Sequence, residues 1–393
     1  TELRLNRPLY EAFRALDVSR KDAETRFAVF KILRDFRRAG VDRDDATRAR
    51  IKALSDEIAG IGSAFDRNIN EDVRSIQVDK ASDLEGLPDD YVARHLPKEG
   101  KITLTTAYPD ALPVFEFAKD ADVRRRLRRE FLERGYPKNI EVLVRLLEKR
   151  HQLAKLLGRE NYAAYVTEDK MIRSAKAAAE FIEKIGRTAS ERTSRDYALL
   201  VERKRKDVPE ATGLDPWDAN YYIERVRAEQ YHFDSQEVRP YLQFEKVRDG
   251  LFDITGRLLG LRYRRVRGVP VWHESVEVYD VYENDRRLGR FYLDLHPREG
   301  KFSHAAMFPV SLGLRGTQLP QAALLCNFPD PRTSAGPALM EQQEIETFFH
   351  EFGHLLHGIL SGHSRWLKTS IEGIEWDFIE APSQMLEGWA RQY

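Results

Sequence analysis

The sequence predicts a mainly α fold in which a small β-sheet precedes a helix near residues 346–360. Residues 9–72 and 115–206 are rich in Ala, Leu, Arg, Lys and Glu, and their apolar residues recur every three or four positions. Segments in which apolar and polar residues alternate are short, and most of them follow residue 262. These observations indicate long amphipathic helices and a minor β component.

A small β insertion interrupts the first helical region. Residues 74–78 and 101–106 alternate like short strands, and a stretch containing Gly and Pro separates them. Residues 208–222 interrupt the next helical run, where Asp215 and Pro216 predict a helix start near Trp217. We therefore expect a helical lobe over residues 1–250 with a β insertion near 74–106.

Residues 251–393 are predicted to form a second region with a small sheet and two helices. Residues 271–282 and 289–297 alternate across the turn-like segment 283–289, and residues 320–328 are typical of a buried strand. A second helix is expected near residues 371–390. In the helix at 346–360 and just before it, the apolar residues form one stripe: Ile345, Phe348, Phe349, Phe352, Leu355, Leu356 and Ile359.

His350, Glu351 and His354 form the pattern His-Glu-x-x-His in that helix. Four residues advance an α-helix by ~400°, so the two imidazoles lie on one face and Glu351 flanks them. Two histidines in this arrangement bind zinc, and the adjacent carboxylate serves as the base for a metal-activated water. The pattern predicts a metallohydrolase.

A catalytic zinc site needs a third protein ligand. His357 lies about 10 Å along the helix from His350, too far to bind the same ion. Leu360 stands where a longer three-histidine motif requires His. The remaining source is a carboxylate of the following helix, and spacing alone does not choose among Glu372, Glu375, Asp377, Glu380 and Glu387.

The segments HEFGHLLH at 350–357 and DFIEAPSQMLEGW at 377–389 resemble the family of thimet oligopeptidase, neurolysin and oligopeptidase A, which are zinc metallopeptidases. DPWDANYY at 215–222 and FYLDLHPREGKFSHAAMF at 291–308 extend the resemblance over nearly the whole chain. The resemblance implies a two-lobed, mainly α metallopeptidase of the gluzincin type. It also implies one Zn²⁺ per chain, with Glu351 as the catalytic base and three ligands, His350, His354 and Glu380.

The implied function is hydrolysis of internal bonds in short, unstructured peptides. Two alternatives stay open: a dipeptidyl carboxypeptidase of the same superfamily, which releases C-terminal dipeptides, and a non-catalytic peptide-binding fragment. Glu351 argues against the second alternative, because a structural zinc site has no need of a base.

Further residues are predicted around the ion and the substrate. Gln384 and Glu387 follow Glu380 by four and seven positions on one helical face, and with His357 they are candidates to hydrogen-bond a metal ligand. Backbone groups of residues 303–308 are predicted to align an extended substrate, with residues 322–327 as the alternative strand. The residues assigned to this substrate strand are Ser303, His304, Ala305 and Ala306.

The composition fits a cytoplasmic enzyme. Lys plus Arg and Asp plus Glu both number 64, so no net charge favours nucleic acid or an anionic membrane as partner, and no apolar run has membrane-spanning length. The single cysteine, Cys326, excludes an intramolecular disulfide. The chain is expected to be an internal fragment that needs a missing C-terminal portion, covalent or as a second chain, for full activity. The family resemblance implies that this portion supplies transition-state-stabilising Tyr and His residues.

Overall fold

A computed structural model describes residues 2–97, 99–334 and 336–391. The fold is mainly α with a small mixed sheet, which confirms the predicted fold class. The sheet precedes the helix that carries His350, also as predicted. Among the described residues, no helix combines the length and the apolar character needed to cross a membrane.

The helices occupy most of the first 260 residues and the last 50. In chain order they are α1 (Arg7–Arg14), α2 (Ala23–Ala39), α3 (Asp45–Glu71), α4 (Asp89–His95), α5 (Tyr108–Phe117), α6 (Ala121–Leu132), α7 (Lys138–Leu156), α8 (Tyr162–Thr167), α9 (Ala175–Asp207), α10 (Ala219–Gln230), α11 (Ser235–Val238), α12 (Phe244–Leu259), α13 (Gln342–Ser361) and α14 (Glu380–Ala390).

The strands form two sheets. Their bounds are β1 (Ser75–Val78), β2 (Ile102–Thr105), β3 (Leu261–Val266), β4 (Glu277–Glu283), β5 (Arg286–Asp294), β6 (Ala306–Ser311) and β7 (Gln321–Leu325). β1 and β2 pair antiparallel, and the larger sheet has the order β3-β4-β5-β7-β6. In this order β6 lies at an edge of the sheet, and β7 lies between β5 and β6. The pair β5 and β7 is parallel, and the other neighbouring pairs are antiparallel.

The chain divides into two compact units, and each unit is built from segments that are separate in the sequence. One comprises Thr1–Ser63, Val142–Ala178 and Phe244–Tyr393, and the other comprises Ala64–Glu141 and Ala179–Gln243. The smaller unit has a core in which residues of β1 and β2, such as Val78 and Leu104, pack with residues of α5 and α6, such as Phe115 and Leu127. The linear division into 1–250 and 251–393 stays a prediction.

The larger unit holds the sheet, α12 and α13 together through an aromatic cluster. The ring of Phe352 in α13 lies 5.7 Å from those of Phe252 and Phe291 and 5.8 Å from that of Tyr263, measured between centroids. Phe352 and Phe291 are fully buried. Aromatic pairs at such distances are stabilising beyond their buried area, so the cluster fixes α13 against the sheet.

Candidate metal centre

Helix α13 begins with a capping box. The backbone N–H of Glu341 donates to Glu344 Oε2 at 2.8 Å, and the Glu341 side chain accepts from the backbone of the first turn. All seven residues of the predicted apolar stripe are buried, whereas His350 and His354 are only partly buried. The helix therefore turns its apolar side to the core and presents both imidazoles on its accessible side.

Helices α13 and α14 pack closely against each other because Gly353 in α13 has no side chain. A Cβ atom at residue 353 would lie 2.7 Å from the Cα atom of Ser383. At that distance the two backbones would have to separate. The close approach brings Glu380, the first residue of α14, beside the histidine pair.

Three side chains converge where the two helices meet. Glu380 Oε2 lies 3.2 Å from His350 Nε2 and 3.1 Å from His354 Nε2, and the potential ligand atoms all lie within 4.8 Å of one another. Metal–ligand bonds of 2.0–2.2 Å in a tetrahedral site place ligand atoms about 3.4 Å apart. The donor set and its spacing thus fit a metal ion.

The other nitrogen of His350 meets a carboxylate. Glu387 Oε1 lies 2.7 Å from His350 Nδ1, and Glu387 Oε2 accepts from Arg391 at 3.0 Å. A carboxylate at Nδ1 favours the tautomer with its proton on that nitrogen, which leaves the Nε2 lone pair directed towards Glu380. Of the candidates for this role, the structure brings Glu387 to His350.

Ser383 orients the third carboxylate and was missed by sequence reasoning. Its hydroxyl is within 2.9 Å of both the backbone oxygen and Oε2 of Glu380, and the residue is fully buried. Two sequence signals could have identified it: the i, i+3 spacing from Glu380, and its place in the segment DFIEAPSQMLEGW that carries the family resemblance.

Glu351 is nearly buried beside the three side chains, with 9% of its surface exposed. Burial raises the pKa of its carboxyl group, whereas His350, His354 and the backbone N–H of Met307 lower it. Burial dominates, so the pKa of Glu351 is raised from its ordinary value. The effect of Met307 also shows that β6 runs close to this carboxylate.

The two other candidates, Gln384 and His357, do not join the three converging side chains. Gln384 is exposed on α14, and its side chain makes no hydrogen bond with any residue that the structure describes. His357 Nδ1 is buried and also lacks a partner among these residues, and burial lowers the pKa of its imidazole. His357 is not part of the three-ligand group.

The predicted substrate strand lies at the start of β6. Ser303, His304 and Ala305 precede the strand, and Ala306 is its first residue. Asn327 donates from its amide to the carbonyl oxygens of Phe302 and His304, at 3.0 Å each, which holds this approach segment. The alternative at residues 322–327 falls largely on β7, whose backbone is paired with β5 and β6.

Comparisons with known proteins connect this geometry to one family. The sequence profile of Peptidase family M3 matches residues 114–393. The chain is 30% identical over 379 residues to the thimet-like oligopeptidase of Dictyostelium discoideum. It is 31% identical over 394 residues to saccharolysin of Saccharomyces cerevisiae and 30% identical over 407 residues to oligopeptidase A of Escherichia coli.

These alignments cover nearly all of this chain and only part of each relative. They span 92%, 94% and 97% of this chain, in the order given, and 56%, 55% and 59% of the relatives. The chain therefore spans little more than half the length of the curated relatives that it matches.

Proposed function

The chain belongs to peptidase family M3, and on that basis we propose that it is part of a zinc-dependent oligopeptidase that hydrolyses internal bonds of short, unstructured peptides. The observation that carries the proposal is the convergence of His350, His354 and Glu380, with Glu351 beside them. Two imidazoles and one carboxylate are a ligand set of catalytic zinc sites, which leave a position open for water.

Zinc bound there supplies Lewis-acid polarisation of the substrate carbonyl and makes water a nucleophile near neutral pH. Glu351 takes a proton from the water that attacks the carbonyl carbon. It then delivers this proton to the departing amine as the C–N bond breaks. Glu387 holds His350 in the tautomer that binds the ion, and Ser383 holds the carboxylate of Glu380 in place.

The preference for unstructured peptides follows from the position of β6. This strand is at the edge of the sheet and pairs only with β7 among the described residues. An extended peptide can add to such an edge through backbone hydrogen bonds, without a required sequence. Most segments of a folded protein would have to leave their own tertiary contacts before they could extend along this edge, whereas an unstructured peptide is free to do so.

The proposal is tested on the natural protein that carries this sequence, with metal analysis and hydrolysis of a fluorogenic oligopeptide. We expect one zinc per chain. Glu351→Gln should keep the zinc and lower kcat by about 10²–10⁴-fold, the usual contribution of a general base. Glu245→Gln, which changes an exposed carboxylate on α12, is the matched control.

Mass spectrometry of the products separates the proposed activity from its rival. Cleavage at internal bonds supports the oligopeptidase, whereas release of C-terminal dipeptides alone would show a dipeptidyl carboxypeptidase. Full hydrolysis by Glu351→Gln would refute the proposed mechanism. Protein with zinc but without hydrolysis of any peptide would refute the enzymatic function.

A further inference from the structure

The segment that leads into β6 is held by two polar side chains instead of by strand pairing. This segment comprises residues 301–305, and β6 pairs with β7 only from Ala306 onwards. The two side chains are those of Lys301 and Asn327. The mechanism proposed above uses neither of them.

Lys301 fixes the start of the segment. Its side chain is 2% exposed, and its ammonium group donates to the carbonyl oxygens of Asp294 at 2.9 Å, of His296 at 2.7 Å and of Cys326. An ammonium group has three N–H donors, and the carboxylate of Asp294, at 3.0 Å, balances its buried charge. Lys301 therefore joins the end of β5 to the residue that follows β7.

Asn327 fixes the other end of the segment. Its side-chain amide donates to the carbonyl oxygens of Phe302 and His304, at 3.0 Å each, which uses both of its N–H donors. The backbone around Asn327 is itself attached to the sheet, because the N–H groups of Cys326 and Phe328 donate to carbonyl oxygens at the end of β5. The amide thus projects from backbone that is fixed in place.

The segment runs beside the proposed catalytic base. The imidazole of His304 and the backbone N–H of Met307 both lie close enough to the carboxyl group of Glu351 to lower its pKa. A peptide that adds to β6 takes its position from the backbone of this strand. A displacement of about 1 Å between reacting groups can lower a rate about 100-fold, so the path of the backbone into β6 affects catalysis.

We propose that Asn327 is a positioning residue of the peptidase, supported by Lys301. Together they hold the start of β6 where the backbone of a bound peptide has to lie for Glu351 to act on the attacking water. The inference rests on the proposed function and adds to it two residues that act through the backbone of β6.

Asn327→Ala is the variant that tests the inference. It removes two hydrogen bonds whose atoms are accessible to water, so the carbonyl groups of Phe302 and His304 can be solvated and the protein should fold. Asn327→Gln keeps the amide on a longer side chain and should recover part of the effect. Lys301 is not substituted, because its loss would leave buried carbonyl groups without a donor.

The probe is a set of N-methylated peptides. An octapeptide that binds the protein is compared with versions in which one amide nitrogen at a time is methylated, which removes an N–H that could pair with β6. Dissociation constants are measured by calorimetry on zinc-loaded Glu351→Gln protein, and kcat and KM on protein that retains Glu351. We expect methylation at one or more positions near the cleaved bond to weaken binding about fivefold, the effect of one hydrogen bond.

With Asn327→Ala in the same background, the dissociation constant of the unmodified peptide should rise about tenfold, since two hydrogen bonds are lost. The loss of affinity caused by methylation should fall towards onefold, because the strand edge is no longer held in place. The value of kcat/KM should fall by about 10–100-fold. Zinc affinity should stay within about twofold of the parent, and Asn327→Gln should lie between Asn327→Ala and the parent in each peptide measurement.

Gln318→Ala is the matched control. The amide of Gln318 donates to Ser311 Oγ at 2.6 Å and to the carbonyl oxygen of Leu312 at 2.7 Å, which is the same kind of contact at the opposite end of β6. Ser311 follows Met307 by four residues, or about 13 Å along a strand. Gln318→Ala should therefore leave the dissociation constants and the effect of methylation within about twofold of the parent.

An unchanged effect of methylation in Asn327→Ala would overturn the inference, and so would equal effects in Asn327→Ala and Gln318→Ala. A different result separates the inference from the proposed function. If Asn327→Ala alone weakens peptide binding but the parent hydrolyses no peptide, the positioning role is supported and the proposed peptidase is refuted.

Discussion

Glu387 holds the ring nitrogen of His350 that does not face Glu380. Its carboxylate lies 2.7 Å from Nδ1 of His350 and has a second partner in Arg391. Loss of such an outer hydrogen bond typically lowers metal affinity 10–100-fold. We expect Glu387→Ala to lower zinc affinity by about this factor, measured by competition with a chelator.

Glu346→Ala is the matched control for this prediction. The side chain of Glu346 also accepts from Arg391, at 3.0 Å, but among the described residues it forms no hydrogen bond or ion pair with the imidazole of His350. The zinc affinity of the Glu346→Ala variant should stay within about twofold of that of the parent protein. Equal losses in both variants would contradict a specific role for Glu387 and would assign the effect to Arg391.

The residues of the candidate metal centre show which contacts spacing predicts and which it does not. The pattern of His350, Glu351 and His354 could be located because one helix alone fixes their geometry. Gln384 and Glu387 were equally plausible on spacing, since both follow Glu380 on one helical face. The close packing at Gly353 sets the register of α14 against α13, and this register brings Glu387 to His350.

The carboxylate of Asp294, at the end of β5, binds Arg298 and Lys301 in the loop that leads to β6. Burial acts to raise its pKa, but hydrogen bonds from Arg298, Trp272 and Lys301 outweigh burial and hold the pKa at about 2. A depressed pKa stabilises the fold fully above the unfolded value of about 3.9, and this stability is lost as the pH falls towards 2. The free energy of unfolding should therefore decrease between pH 4 and pH 2.

Asp294→Asn tests this assignment through urea unfolding at pH 7, 4 and 3. Removing one partner from a buried ion pair costs about 3–5 kcal/mol, so the variant should be less stable by about this amount at pH 7. The difference from the parent should shrink below pH 4. Asp285→Asn, at an exposed turn of the same sheet, should follow the parent at every pH. A difference that is independent of pH would contradict the prediction.

At the scale of elements, the contact of α13 with α14 requires glycine at residue 353. A Cβ atom there would lie 2.7 Å from Ser383 Cα, and the helices cannot keep this spacing. Gly353→Ala should destabilise the protein by about 1–3 kcal/mol through overpacking, although Ala favours helix formation by up to about 1 kcal/mol. It should also weaken zinc binding, since Glu380 moves with α14.

Gly250→Ala provides the comparison, because it makes the same change in α12 where the space is open. That variant should gain a small amount of stability and keep its zinc affinity. Thermal melting of both variants measures the change in stability, and competition with a chelator measures the change in zinc affinity. A stabilised Gly353→Ala protein with normal zinc affinity would show that the helices do not need their close approach.

The segment before α14 is anchored to α2 through Lys31. Its side chain is 3% exposed, and its ammonium group donates to Glu375 Oε1 at 2.7 Å and to the carbonyl of Gly373. Hydrogen bonds to charged groups contribute about 1.5–3 kcal/mol, so Lys31→Met should lower the free energy of unfolding by about this amount. Lys246→Met, at an exposed position of α12, is the control and should leave it unchanged.

Strands were harder to predict than helices: β3 was not predicted, and β6 extends to Ser311, beyond the strand predicted at residues 303–308. β3 contains three arginines in six residues, and β6 contains Pro309, which cannot donate to a strand partner. Both strands lie at the edges of the sheet, where polar residues and proline are tolerated. Edge strands therefore lack the regular alternation of apolar and polar residues by which a strand is predicted. The β4–β5 hairpin has a neighbouring strand on each side, and its apolar and polar residues alternate clearly.

At the scale of the whole molecule, composition and periodicity were enough for the mainly α class, but they could not give the compact units. Each unit is assembled from segments far apart in the chain, such as Thr1–Ser63 and Phe244–Tyr393. Contacts of this kind depend on tertiary packing that periodicity does not report. A division by sequence position alone therefore could not anticipate which segments pack together.

Anomalous diffraction at the zinc edge, on crystals of the metal-loaded protein, tests the central claim most directly. The proposed site predicts one strong peak per chain, at about 2.0–2.2 Å from Nε2 of His350, Nε2 of His354 and an oxygen of Glu380. A peak bound by other residues, or no peak between these three side chains at saturating zinc, would contradict the account.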